Sequence, residues 1–234
     1  MRLFLASNIG GIKKENGNKM PVKFFEDNKF LKNMKESIKD YNKFVIIASD
    51  PDNYELNDNY LKLDTEILAL SGLKFKESLV LDNRNKEDIG NILKNSSLIF
   101  LSGGNTFQQN MFLNAIKLKD YIKETDACIV GISAGAINSA EIVFSSPENE
   151  KDLTRSVILK GLALTTINVE PHFDLDNPNK IQMDSIIKES NNRIIYGLPD
   201  KSYIFNNKVY GKCYRIYKEN IELISNDDEI IDIY

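Results

Sequence analysis

Short apolar runs alternate along this chain with longer stretches in which apolar residues recur at helical spacing. Leu3–Ala6, Phe44–Ala48, Leu79–Leu81, Leu98–Leu101 and Cys128–Ile132 are apolar at nearly every position. Runs of that length and continuity predict strands buried on both faces. Between them, Phe24 to Tyr41 carries Phe25, Phe30, Leu31, Met34, Ile38 and Tyr41 in a helical pattern. Leu61 to Leu70, Ile89 to Leu93 and a long stretch from Thr106 to Lys123 read as further helices. The alternation predicts an α/β fold, an open, mostly parallel, doubly wound sheet with helices on both faces. Parallel strands need crossover connections, and each sheet face needs covering.

Beyond Phe144 the pattern loosens through the polar stretch Ser145-Ser146-Pro147-Glu148-Asn149-Glu150. A strand is expected over Leu162 to Val169 and a helix from about Asn179 to Lys188. From Ile194 to Tyr234 the runs become short and alternating, as in Ser202–Phe205 and Cys213–Tyr217, with Asn206-Asn207 between candidate strands. These predict antiparallel strands that extend the sheet at its C-terminal end. No repeat or low-complexity linker interrupts the sequence, so residues 1–234 are expected to form one α/β domain.

Composition narrows the function classes. Apolar residues make up 42% and charged residues 27% of the 234 positions, values typical of globular proteins. The formal charge of −4 and the lack of a basic stripe argue against a nucleic-acid partner. Cys128 and Cys213 are far apart and belong to no CxxC or Cys/His cluster, so neither a disulfide framework nor a zinc site is expected. The apolar start stops at Ser7-Asn8, too soon for a signal-peptide core or a membrane span, and a cytoplasmic location without a membrane partner follows as the expectation.

Chemistry concentrates where strands end. Gly131-Ile132-Ser133-Ala134-Gly135 fits the G-x-S-x-G nucleophile elbow, with a strand before it and a helical pattern after it. A serine on so sharp a turn needs small neighbours two positions away. A glycine-rich helix start with a capping serine is the alternative. Ser102-Gly103-Gly104-Asn105-Thr106 supplies a second glycine turn at the end of the preceding strand. Gly104 N–H and Ala134 N–H are therefore candidate oxyanion donors. His172, in Glu170-Pro171-His172-Phe173-Asp174, is the only histidine and also follows an apolar run. The order serine, acid, histidine points to Glu148, Glu150 or Asp152 for the triad carboxylate, with Glu148 the first choice.

Together, Phe100-Leu101-Ser102-Gly103-Gly104-Asn105-Thr106-Phe107-Gln108, Gly131-Ile132-Ser133-Ala134-Gly135-Ala136 and Pro171-His172-Phe173 resemble the dipeptidase E family. That family includes α-aspartyl dipeptidases and the related cyanophycinases. The resemblance implies a fold like that of class I glutamine amidotransferases, whose elbow residue is a cysteine where this chain has Ser133. It also implies a Ser-His-Asp/Glu triad without metal or organic cofactor, here Ser133, His172 and Glu148, and hydrolysis of small peptides through an acyl-enzyme. An esterase or amidase on the same triad, or a non-catalytic binding member of the fold, stands as the alternative. Asn105, Thr106 and Lys180 are the expected substrate contacts. Aspartyl-specific members are expected to hold the substrate's acidic side chain with an arginine in the helix after the histidine. Here that helix reads Asn179-Lys180-Ile181-Gln182-Met183-Asp184, so Lys180 is the nearest cation and strict aspartyl specificity is not expected. A small peptide is the expected partner, and a homodimer is left open.

Overall fold

The computed structural model describes residues 1–15, 17–147 and 157–233. In chain order the elements begin with β1 (Arg2–Ala6), β2 (Gly10–Glu15), β3 (Asn18–Phe24), α1 (Phe30–Ser37), β4 (Lys43–Ile47), α2 (Tyr54–Leu70), β5 (Glu77–Leu81), α3 (Ile89–Leu93) and β6 (Ser96–Leu101). They continue with α4 (Thr106–Ala115), α5 (Leu118–Ile122), β7 (Cys128–Ile132), α6 (Ala134–Asn138), β8 (Ile142–Ser145), β9 (Val157–Lys160), β10 (Asn168–Pro171) and α7 (Lys180–Glu189). The last are β11 (Ile195–Leu198), β12 (Tyr203–Phe205), β13 (Lys208–Tyr210), β14 (Cys213–Tyr217), β15 (Asn220–Ser225) and β16 (Ile230–Asp232).

The main sheet runs β16-β13-β12-β1-β7-β6-β4-β5. Its five strands from β1 to β5 are mutually parallel, and β12, β13 and β16 add antiparallel strands at one side. Alternation along the parallel strands explains why their sequences are almost continuously apolar. Phe4, Phe44, Ile46, Leu98, Phe100 and Val130 point to one face, where α1, α2 and the β2–β3 hairpin cover them. Val45, Ile47, Ile99, Leu101 and Ile129 point to the other, under α3, α4 and α5. Next to β1 this second face is covered differently. Leu5, Ile204 and Val209 pack with Ala136 of α6 against Val169, Tyr196, Leu198 and Cys213. Those last four belong to a separate sheet, β10-β11-β14-β15, backed by Ile186 of α7. The fold is thus α/β with a large, mostly parallel central sheet and helices on both faces.

Several boundaries differ from the sequence reading for local reasons. The helix expected over Phe24–Tyr41 is confined to α1, because Asn28 and Lys29 take left-handed φ values of 51° and 62° and Phe24 belongs to β3. The long helix from Thr106 is broken at Lys117, φ 51°, into α4 and α5. Leu162–Val169 is mostly not strand. Ala163 is left-handed, and the amides of Leu162 and Leu164 donate to Asn138 and Ser139 at the end of α6. The C-terminal strands do not all extend the main sheet, since β11, β14 and β15 build the separate one, where β11 lies parallel to β10. The β2–β3 and β8–β9 hairpins were not anticipated.

Candidate active site

Strand β7 delivers Ser133 to the carboxyl edge of the parallel strands, between β1 and β6, where ligands bind in such folds. Ser133 has φ 49° and ψ −110°, and its amide donates to the Ala6 carbonyl at 2.9 Å. A non-glycine residue with positive φ at a strand-to-helix turn is the strained geometry of a nucleophile elbow. Both flanking glycines are required sterically. A Cβ at Gly131 would lie 2.7 Å from the Gly135 carbonyl oxygen, and one at Gly135 would lie 2.1 Å from that of Leu101. Packing this tight explains the small residues of the motif, which a helix-capping serine would not need.

His172 follows β10, directly across from the elbow. Its Nε2 lies 3.1 Å from Ser133 Oγ and its Nδ1 lies 2.7 Å from Asp200 Oδ1. A carboxylate can only accept, so Nδ1 carries the proton and Nε2 keeps a lone pair for the serine hydroxyl. The His172 backbone is itself left-handed, φ 55°, and its amide donates to Ser7 Oγ at 2.8 Å. Ser7 is fully buried and turns its hydroxyl proton toward Asp200 Oδ1 at 3.3 Å, while Asn8 Nδ2 donates to Oδ2 at 3.0 Å. The hydrogen bond from His172 is the main force holding the Asp200 carboxyl below the usual carboxylate range, with the Asn8 bond, the imidazole charge and the Ser7 bond adding to it against partial burial. Burial pushes both thiols, Cys128 and Cys213, up to about 12, which leaves them poor nucleophiles.

The family model for peptidase family S51 matches residues 17–209. The chain belongs to peptidase family S51. Two solved structures share the fold of this S51 peptidase. One is a peptidase from an acI-B1 Actinobacterium, 16% identical with a TM-score of 0.67, over 99% of this chain and 96% of that one. The other is a protein assigned as peptidase E from Listeria monocytogenes EGD-e, 18% identical with a TM-score of 0.58, over 92% of this chain and 98% of that one. A search of the curated proteins finds no match. Family membership makes the chain a serine-type peptidase.

The remaining residues singled out in the sequence fall as follows in the S51 peptidase. Neither the Gly104 N–H nor the Ala134 N–H has an acceptor among the described residues, and the same is true of Gly103. Gly104 has φ +141°, and a Cβ there would meet Ser49 Oγ at 2.3 Å, so the turn needs glycine. Asn105 is exposed but caps α4, its side-chain oxygen accepting from Gln108 N–H at 2.8 Å. Thr106 is buried. Lys180 opens α7 and is exposed, yet it does not line the cleft of about 350 Å³ beside His172. That cleft is lined by Phe173, Asp174, Asp176, Asp200, Lys212 and Tyr214. A larger concavity of about 630 Å³ sits at the amino ends of β4, β6 and β7, away from the nucleophile. Glu148, Glu150 and Asp152 lie outside the described residues. Sequence reasoning missed Asp200, Ser7 and Asn8. Asp200 reaches His172 through strand pairing that the sequence does not announce, because β11 pairs in parallel with β10 and Leu198 faces Pro171, so Asp200 emerges beside His172. Among the described residues no group of His, Cys, Asp and Glu could hold a metal, and no helix is long and apolar enough to cross a membrane.

Proposed function

We propose that this S51 peptidase is a serine exopeptidase for short peptides, acting through an acyl-enzyme with Ser133, His172 and Asp200 as its triad. The observation that carries the reading is the line of contacts from Ser133 Oγ to His172 Nε2, 3.1 Å, and from His172 Nδ1 to Asp200, 2.7 Å. Ser133 Oγ attacks the scissile carbonyl as its proton passes to Nε2, and the oxyanion is met by the Gly104 and Ala134 N–H groups. His172 then hands that proton to the leaving amine, the C–N bond breaks, and an ester on Ser133 remains. Water, deprotonated by the same imidazole, hydrolyses the ester. Asp200 takes the role that chain order had suggested for Glu148, because its carboxylate is already on the Nδ1 side of the ring. Restriction to short peptides is supported by the resemblance of the Gly103-Gly104 turn and the elbow to the dipeptidase E family.

A fluorophosphonate probe with a dipeptide panel tests this. The parent protein is expected to be labelled on Ser133 and to release free amino acids from dipeptides, and Ser133→Ala to do neither. An unlabelled parent, or a labelled one that cleaves long chains internally and spares dipeptides, overturns the reading.

A further inference from the structure

The turn that carries Gly104 is fastened at both ends by buried amide side chains that the triad does not use. Gln109 of α4 is 0% exposed, and its Nε2 donates to the Ser102 carbonyl at 2.8 Å. Asn138, the last residue of α6, is also 0% exposed. Its Nδ2 donates to the Thr106 carbonyl at 3.0 Å and to Gln109 Oε1 at 3.0 Å. Asn110 Nδ2 in turn donates to Asn138 Oδ1 at 2.9 Å and to the Lys160 carbonyl at 3.1 Å. The chain of bonds has one direction, from Asn110 through Asn138 and Gln109 to Ser102. Each middle member uses both its oxygen and its NH₂ group, which a carboxylate or an apolar side chain of equal volume cannot do.

Burying amides is costly unless every donor and acceptor is matched, and apolar residues would hold α4 against α6 equally well. What the network adds is direction. It ties Ser102 and Thr106, on either side of Gly103 and Gly104, to the helix that begins with Ala134 immediately after the nucleophile. The turn also rests on the elbow itself, since a Cβ at Gly103 would lie 3.5 Å from Ser133 Cβ.

We propose that Gln109 and Asn138 are positioning residues that fix the spacing between the Gly104 and Ala134 N–H groups, so that both reach one developing oxyanion; the inference rests on the acyl-transfer reading above. Oxyanion stabilisation depends on donors held in advance at hydrogen-bond distance from where the charge will form. A turn free to drift by a fraction of an ångström loses that effect in the transition state while still binding the neutral substrate.

The experiment compares the parent with Gln109→Met, which keeps the volume, and Gln109→Glu, which keeps the acceptor for Asn138 and loses the donor to Ser102. Asn138→Leu and the remote core variant Leu73→Ala, on the opposite sheet face, complete the set. For Gln109→Met, kcat is expected to fall about 10- to 100-fold while KM stays within about threefold, the split produced when a donor acts mainly in the transition state. The second readout is affinity for a peptide aldehyde relative to the matched peptide alcohol. With the aldehyde, Ser133 Oγ bonds to the carbonyl carbon, the second carbon–oxygen bond opens to leave an oxyanion, and the serine proton moves to His172 Nε2. The alcohol cannot do this. The aldehyde preference is expected to drop roughly tenfold or more in the Gln109 and Asn138 variants and to stay at the parent value in Leu73→Ala. Unchanged preference in a folded Gln109 variant overturns the proposal, even if kcat falls. Should one substitution prevent folding, the others carry the same readout. If instead Ser133→Ala binds the aldehyde as tightly as the parent does, it is the acyl-transfer reading that fails.

Discussion

At His172 one imidazole must be held in one tautomer, and the side chains around it set how much each contributes. Ser133→Ala and His172→Ala should each abolish turnover by at least ~10³-fold, and the double variant should match either single one, because attack and proton transfer are one event. His172→Ala within about tenfold of the parent would sink the assignment. Asp200→Asn should reduce kcat by ~10⁴-fold, since an amide can present its NH₂ group to Nδ1 and favour the wrong tautomer. Glu148→Gln should leave kcat within about threefold if Asp200 alone performs that task. Stability gives a second reading of the same residue. The carboxyl is held below its ordinary value of 3.8, so its contribution is fully present above that pH and is lost as pH falls through the lower folded value. The melting temperature of Asp200→Asn should therefore lie below the parent's at pH 7, and the gap should close below pH 3.8; a gap that is unchanged or widens there would contradict the coupling. Ser133 and His172 were legible in the sequence because the elbow motif names one and a single histidine leaves no rival. Asp200 was not, because chain order suggested an acid between them, while its closeness to His172 arises only from the parallel pairing of β10 and β11.

Among the elements, the β7–α6 elbow is the least tolerant of change. Gly135→Ala would push a methyl group to 2.1 Å from the Leu101 carbonyl oxygen, against backbone that has nowhere to move. We expect no folded protein, or a loss above ~4 kcal/mol, the range that marks severe overpacking or strain. Gly103→Ala is the contrast, because its nearest neighbour would be Ser133 Cβ at an ordinary 3.5 Å. That variant should fold with a melting temperature within a few degrees of the parent, measured by thermal unfolding. The parallel strands were legible because residues alternate between two apolar faces, so nearly every position after the first one or two is apolar. Helix ends were not. Lys29, Lys117 and Ala163 break their segments by adopting left-handed φ, and neither lysine nor alanine signals that conformation as glycine or asparagine does. The run Leu162–Leu164 misled for another reason, being irregular backbone with Leu162 buried and the amides of Leu162 and Leu164 satisfied by the end of α6.

For the molecule as a whole, the site is assembled from two sheets, since Ser133 comes from the main sheet and His172 and Asp200 from the ends of β10 and β11 in the other. The cleft between His172 and the β13–β14 connection therefore depends on a part of the chain that the sequence reading had assigned to simple extension of one sheet. Its cation is Lys212, not Lys180. The Lys212 ammonium is held above its usual range by its hydrogen bond and charge interaction with Tyr214, and further by Asp176 and Asp227, so it is charged throughout the neutral range. It is also half-exposed and shared with those carboxylates, and an ammonium offers a point charge in place of a bidentate fork. A substrate carboxylate must compete with Asp176 for it in the presence of salt. We expect kcat/KM for dipeptides with Asp at the first position to exceed that for Asn by less than about tenfold, because screened, exposed pairs are worth ~1 kcal/mol or less. Lys212→Ala should erase that preference, Lys180→Ala should leave most of it, and raising the salt concentration should shrink it in the parent. A thousandfold preference for Asp, ~4 kcal/mol, would require a desolvated cation site outside this cleft. Loss of the preference in Lys180→Ala with retention in Lys212→Ala would place the selective contact at the start of α7.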